Sequence, residues 1–178
     1  MPTPPPTWTA DAEPDRGYKL QYPPGWAPKA AATGGADHAY YASQDAPAPL
    51  EMSHTDVWLT VQVEPLRQGD ACDTWLPGAD GGSVPALLAG RPAQLKLRDP
   101  APNAVEPTWK AYAATQAEGR CYTLWFVTLT KDTRTKALGT MLQILAGFSA
   151  DPAAQPSPEP SPIPIASPSP PAAAGASP

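Results

Sequence analysis

The stretch Gly17-Tyr18-Lys19-Leu20-Gln21-Tyr22-Pro23-Pro24-Gly25-Trp26 decides how this chain folds. Tyr18, Leu20 and Tyr22 alternate with Lys19 and Gln21, the two-residue period of a half-buried strand. Pro23 and Pro24 cannot donate to a ladder and Gly25 tolerates a tight turn, so the strand stops there. Trp26 follows as a large apolar plug. These residues hold no catalytic or ligand signature. They speak for a fold rather than for a chemistry.

The same alternation recurs further along. Residues 38–42 (HAYYA) make a short candidate strand. In 55–64 (TDVWLTVQVE), Val57, Leu59, Val61 and Val63 share one face and Trp58, Thr60 and Gln62 the other, and Pro65 ends the run. Residues 70–76 (DACDTWL) read as a short helix with Asp70 as N-cap and Gly78 beyond its end. The Asp80-Gly81-Gly82-Ser83 stretch reads as a loop, and 91–98 (RPAQLKLR) as a strand. A hairpin follows, 109–116 and 121–130, joined by Ala117-Glu118-Gly119-Arg120 with its glycine in place. The second arm is apolar on both faces, with Tyr122, Leu124 and Phe126 opposed by Trp125, Val127 and Leu129. Such a strand belongs at the centre of a sheet with layers above and below it. Residues 133–148 predict a helix with Asp132 as N-cap, because Leu138, Met141, Leu142, Leu145 and Phe148 form one stripe.

Composition divides the chain. Residues 150–178 hold ten prolines and five serines with two charges, too little apolar surface to offset ordering entropy, so a disordered Pro/Ser/Ala-rich tail is expected. Residues 1–16, proline-rich and then acidic, read as a similar arm. What remains, 17–149, is the size of one domain. The net charge of −5 and the scattered basic residues speak against a nucleic-acid partner. No apolar run approaches the roughly 18–20 residues of a membrane span. Met1 leads straight into prolines without a signal-peptide pattern.

The order of these elements resembles a known family. The GYKLQYPPGW opening precedes a strand ending Val61-Gln62-Val63-Glu64-Pro65, a short helix near Trp75, and Leu88-Ala89-Gly90-Arg91-Pro92-Ala93. Gly119-Arg120-Cys121-Tyr122-Thr123-Leu124-Trp125-Phe126 and a helix ending Ile144-Leu145-Ala146-Gly147-Phe148 complete the set. Together they are similar to the PsbP-like superfamily, with its Ran-binding Mog and bacterial lipoprotein or DcrB-type relatives. The resemblance spans residues 17–149. It implies an α+β fold, an antiparallel sheet of about six strands with helices on both faces (an α/β/α sandwich), and a mostly non-enzymatic role. No catalytic residue belongs to the family pattern. The segment MPTPPPTWTADAEPD resembles the spacer that follows the lipidated cysteine of such lipoproteins.

Candidate sites are few. His38 and His54 have no zinc-like spacing to a further ligand, so neither a metal nor a cofactor is expected. Ser43, Ser53 and Ser83 sit in no G-x-S-x-G elbow. Asp70 and Asp73 flank Cys72, where acids at a helix start already suit its dipole. Gly34-Gly35 and Gly81-Gly82 are too short to cradle a phosphate. Of the six tryptophans, Trp26, Trp58, Trp109 and Trp125 fall in or beside strands, where packing explains them. Trp75 and Trp8 are the candidates for a binding surface. Cys72 and Cys121 form either a disulfide, if the short helix covers the start of the central strand, or two buried free thiols. The favoured function is a non-catalytic extracytoplasmic module, monomeric and tethered at a cell surface, that binds or assembles with a protein partner. A cytosolic adaptor or chaperone-like protein of the same fold is the alternative, and an uncharacterised hydrolase stands third.

Overall fold

A computed structural model describes residues 3–30, 38–43, 54, 56–66, 69, 71–72, 76–105 and 107–150. Among them are ten strands and one α-helix. The strands are β1 (Thr9–Glu13), β2 (Tyr18–Tyr22), β3 (Trp26–Ala30), β4 (His38–Ser43), β5 (Trp58–Pro65) and β6 (Ser83–Leu88). They continue with β7 (Arg91–Arg98), β8 (Trp109–Ala117), β9 (Arg120–Thr128) and β10 (Ser149–Ala150), and the helix is α1 (Lys131–Gly147). Two antiparallel sheets result. The larger runs β3-β4-β5-β9-β8-β7-β6, and the smaller runs β1-β2-β10. As its two-sided apolar pattern requires, β9 lies in the middle of the larger sheet.

Turn chemistry sets the register. The Trp26 amide donates to Pro23 O at 3.3 Å, with Pro24 and a left-handed Gly25 (φ +86°) between them. This is the type II turn that a Pro-Gly pair favours. Two hairpins close with two residues each at positive φ, Ala89 (+51°) with Gly90 (+71°) and Glu118 (+51°) with Gly119 (+75°). Both are mirror-image turns whose twist matches that of the flanking strands.

One face of the large sheet carries the core. The register places Leu59, Phe126 and Ala111 in one row across β5, β9 and β8, and Val61, Leu124 and Ala113 in the next. Leu95, Leu88 and Ala86 extend this face to the sheet edge. Helix α1 covers it with Met141, Ile144 and Leu145, and β2 turns Tyr18, Leu20 and Tyr22 into the same cluster. Phe148, at the end of α1, joins the two sheets. Its ring lies 5.6 Å from Tyr18 and 5.7 Å from Tyr122.

Several expectations need correction. The arm 1–16 is structured over much of its length. β1 pairs with β2 from Thr9↔Tyr22 to Glu13↔Tyr18, and Pro14–Arg16 form a 3-10 turn. Its acidic, proline-flanked composition hid a strand that a paired neighbour supports. The large sheet has seven strands where about six were expected: the expected strand 18–22 lies instead in the small sheet as β2, while β3 and β6, each containing a proline, were not foreseen. Pro28 and Pro85 are tolerated there because both strands lie at sheet edges. The cap of α1 is Thr130, whose extended backbone lets its hydroxyl accept the Thr133 amide at 3.0 Å. Asp132 stands inside the first turn and pairs with Lys136 at 2.6 Å.

The second face of the large sheet carries no helix among the described residues, so the α/β/α sandwich is observed on one side only. Of the residues between β5 and β6, Cys72 is bonded to β9 and Pro77 and Gly78 lie against Tyr112 of β8. The expected helix over 70–76 lies mostly outside the described residues, although Cys72 takes a 3-10 conformation. The tail beyond Ala150 also lies outside them.

Candidate interaction surface

The second face is built from the alternate residues of β5, β9 and β8. Its rows run Trp58-Val127-Lys110, Thr60-Trp125-Tyr112, Gln62-Thr123-Ala114 and Glu64-Cys121-Gln116. Apolar area concentrates in the first two rows and polar groups in the last two. Trp58 is buried, Trp125 and Val127 are half-buried, and Gln116 is exposed.

The described residues between Leu66 and Gly82 meet the large sheet at several points. The Leu66 amide donates to Gly119 O at 2.7 Å, on the β8–β9 turn. Cys72 and Cys121 are joined by a disulfide with their Cα atoms 5.4 Å apart. Both residues are buried, and Cys72 Sγ lies 3.3 Å from Thr115 O on β8. Beyond the bridge, the Tyr112 hydroxyl donates to Pro77 O and contacts Gly78 O at 3.0 Å. The Gly81 amide donates to Leu97 O at 3.0 Å, and the Leu97 amide to Gly82 O at 2.8 Å. A Cβ at Gly81 would stand 3.0 Å from Leu97 O, a tight contact that the backbone would have to relieve.

Tyr112 is the hinge of this arrangement. It is fully buried, and its ring packs against Trp125 with centroids 4.7 Å apart at a tilt of 34°. Tilted aromatic pairs add to the stabilisation from area alone. Burial raises the Tyr112 pKa above the ordinary phenol value; Arg98 opposes the shift and Asp80 adds to it. The phenol therefore stays protonated and can keep donating to the loop carbonyls.

Other sequence candidates lie elsewhere. Trp8 is half-buried and packs against the main core, which accounts for its apolar area within the chain. Trp75 lies outside the described residues. His38 opens β4 opposite Gln62. His54 lies beside the first turn of α1, where its carbonyl accepts the Thr133 hydroxyl. There it lines a cavity of about 540 Å³ with Val57, Thr130, Asp132 and Lys136. A second hollow of about 750 Å³ lies between β1, β2, the Ala89-Gly90 turn and the end of α1. Among the described residues no three His, Cys, Asp or Glu side chains group as metal ligands. No described helix is long and apolar enough to cross a membrane. Sequence reasoning missed the Tyr112–Trp125 pair; their places on the outward register of adjacent strands were the available signal.

Comparison with solved structures places this architecture. The solution structure of cyanobacterial PsbP (CyanoP) from Synechocystis sp. PCC 6803 superposes with a TM-score of 0.54. The match covers 80% of this chain and 92% of that one at 12% identity. The fold is PsbP-like. A crystal structure from Bacteroides thetaiotaomicron VPI-5482 superposes on this chain with a TM-score of 0.52 and 11% identity. That match covers 79% of this chain and 47% of the Bacteroides chain, so this chain spans about half of that protein's length. No protein-family model matches the sequence, and no curated protein matches it either. At these identities the PsbP-like likeness is one of fold alone.

Proposed function

We propose that this chain is a non-catalytic extracytoplasmic module, lipoprotein-like in origin, that binds or assembles with a protein partner through the second face of its large sheet. The observation that carries the reading is the Cys72–Cys121 bridge, which ties Cys72 to a face that no described helix covers. A disulfide persists in oxidising compartments and is rare in the cytosol, which disfavours the cytosolic adaptor. Half-buried Trp125 and Val127 give that face the aromatic and aliphatic area on which protein interfaces draw.

The strand edges support a monomer. β3 and β6, the edges of the large sheet, carry exposed Pro28 and Pro85. On β1 the Asp11 carboxylate accepts the exposed Ala12 amide at 3.0 Å. Each device removes a donor that another strand would need. A partner would thus meet side chains on the sheet face, not backbone at an edge.

Two measurements test the reading. Cells producing the protein from its own gene are lysed in acid and treated with a thiol-reactive polyethylene glycol before and after reduction. Labelling only after reduction, in the extracytoplasmic fraction, is expected; cytosolic protein with both thiols free would overturn it. A photo-crosslinking residue at Trp125 should capture a discrete partner that the same residue at Lys136, on the opposite layer, does not. Identical crosslinks from both sites would remove the face from consideration.

A further inference from the structure

We infer that the partner met by the second face is an acidic protein segment, received by Lys96, Arg98 and Lys110 beside Trp125. The inference names the partner's chemistry for the face proposed above and so rests on that reading. Strand register carries it. Arg98 of β7 stands directly opposite Lys110 of β8, and Lys96 opposite Tyr112. On the next strand Lys110 is opposed by Val127 and Tyr112 by Trp125. Three cations, an aromatic pair and a valine therefore share two adjacent rows of one face. Arg98 is exposed, and Lys96, Lys110, Trp125 and Val127 are half-buried, so charged heads and apolar area are presented together.

Like charges directly opposite on neighbouring strands destabilise a sheet, yet the β7–β8 ladder sets Arg98 against Lys110. The described carboxylates do little to relieve them. Asp99, next to Arg98 in the chain, is held by Arg134 at 2.7 Å, and Glu64 lies in the last row of the face, opposite Cys121. Glu106 lies outside the described residues. Among the described residues that leaves Asp80, whose charge reaches the Tyr112 hydroxyl, against three cations. The chain as a whole carries a net charge of −5, so this basic corner stands apart from the rest of it. A segment rich in carboxylates would relieve the Arg98–Lys110 repulsion, and Trp125 and Val127 would cover its apolar residues.

Fluorescence anisotropy of labelled hexaglutamate with the purified full chain provides the test, with hexaglutamine and phosphatidylglycerol vesicles as comparison probes. Hexaglutamate should bind where hexaglutamine does not, and its affinity should fall as salt is added. Lys110→Glu should weaken that binding about tenfold or more. The same substitution should raise the Tm by about 1–4 °C, because it sets an opposite charge across the ladder from Arg98. A merely structural role for Lys110 would not drive the two effects in opposite directions. Hexaglutamate bound no better than hexaglutamine, or bound equally by the Lys110→Glu variant, would overturn the inference. Sedimentation with the vesicles without hexaglutamate binding would assign the cations to a lipid surface and overturn it equally. Capture by the photo-crosslinking residue at Trp125 separates this inference from the reading beneath it. If Lys110→Glu leaves that capture unchanged, the face stands and the acidic partner falls. Hexaglutamate binding without any capture at Trp125 would count against the partner face alone.

Discussion

Arg134 Nη2 and Asp99 Oδ1 form an ion pair of 2.7 Å that is buried on one side only, the side chains being 5% and 38% exposed. The guanidinium does more than pair. Its Nη1 donates to Arg98 O at 3.0 Å and to Lys110 O at 3.4 Å. One side chain from the first turns of α1 thus satisfies the end of β7 and the start of β8, where the ladder runs out. Planar guanidinium suits several acceptors at once, and a lysine ammonium cannot span them.

Arg134→Ala should lower stability by about 2–4 kcal/mol, because it leaves carbonyls and a carboxylate without their donor. Arg134→Lys should recover only part of that. Asp99→Asn should cost less than either, since its carboxylate is partly hydrated and the carbonyl contacts survive. Urea denaturation of the three variants checks the ranking. Equal, small losses would mean that the cluster contributes nothing to holding α1 in place.

The helix stripe divides into unequal halves. Leu145 is fully buried under the sheet, whereas Leu142 is half-buried at the flank. Leu145→Ala should therefore cost about 2–5 kcal/mol, and Leu142→Ala nearer 1 kcal/mol. Thermal or chaotrope unfolding would separate them. Equal losses would contradict the orientation of α1.

What the residues disclosed followed from periodicity, and what they hid was overridden by tertiary context. β2, β5, β7, β8, β9 and α1 announce themselves because their apolar period matches one buried face. Pro85 in β6 and the acidic TADAE of β1 argue locally against strands, yet an edge position and the pairing of β1 with β2 outweigh them. Leu138 and Leu142 suggested a stripe centred further round α1 than it is. In the folded chain Arg134, Met141, Ile144 and Leu145 are the buried residues of the helix. At the candidate surface, the two cysteines were visible as a pair to be weighed. The Tyr112–Trp125 contact follows from the β8–β9 register, a signal carried by the hairpin and not by the spacing within either strand.

Turn geometry offers a stabilising substitution. Glu118 holds φ at +51° on an exposed hairpin tip, a conformation unfavourable for most side chains and easier for asparagine. Glu118→Asn should raise stability by about 0.5–1 kcal/mol. A loss on denaturant unfolding would mean that the Glu118 carboxylate makes a compensating contribution to the fold.

Blocking of the sheet edge is equally testable. Pro85→Val restores a backbone donor in the middle of β6 and raises its strand propensity. The variant should fold but associate with increasing concentration, seen as a rising mass in sedimentation velocity. A protein that remains monomeric at all concentrations would mean that Pro85 is not what keeps the β6 edge unpaired.

Three tyrosines link the fold to alkaline pH. Burial raises the pKa of Tyr22, Tyr112 and Tyr122 above the ordinary phenol value; Asp11 adds to the shift at Tyr22, and Arg120 opposes it at Tyr122. The Tyr122 hydroxyl also donates to Gly17 O at 3.1 Å, a bond that its ionised form could not make. The sign follows from proton binding. Below about pH 10 these phenols are protonated in both states and their contribution to stability is fully present. As pH rises beyond that, the unfolded chain releases its protons first, so the folded state loses stability until its own raised pKa values are passed. Spectrophotometric titration of tyrosinate should therefore run at higher pH in the folded protein than in urea, and end in cooperative unfolding. Coincident curves in the two solvents would show that none of the three is held neutral by the fold.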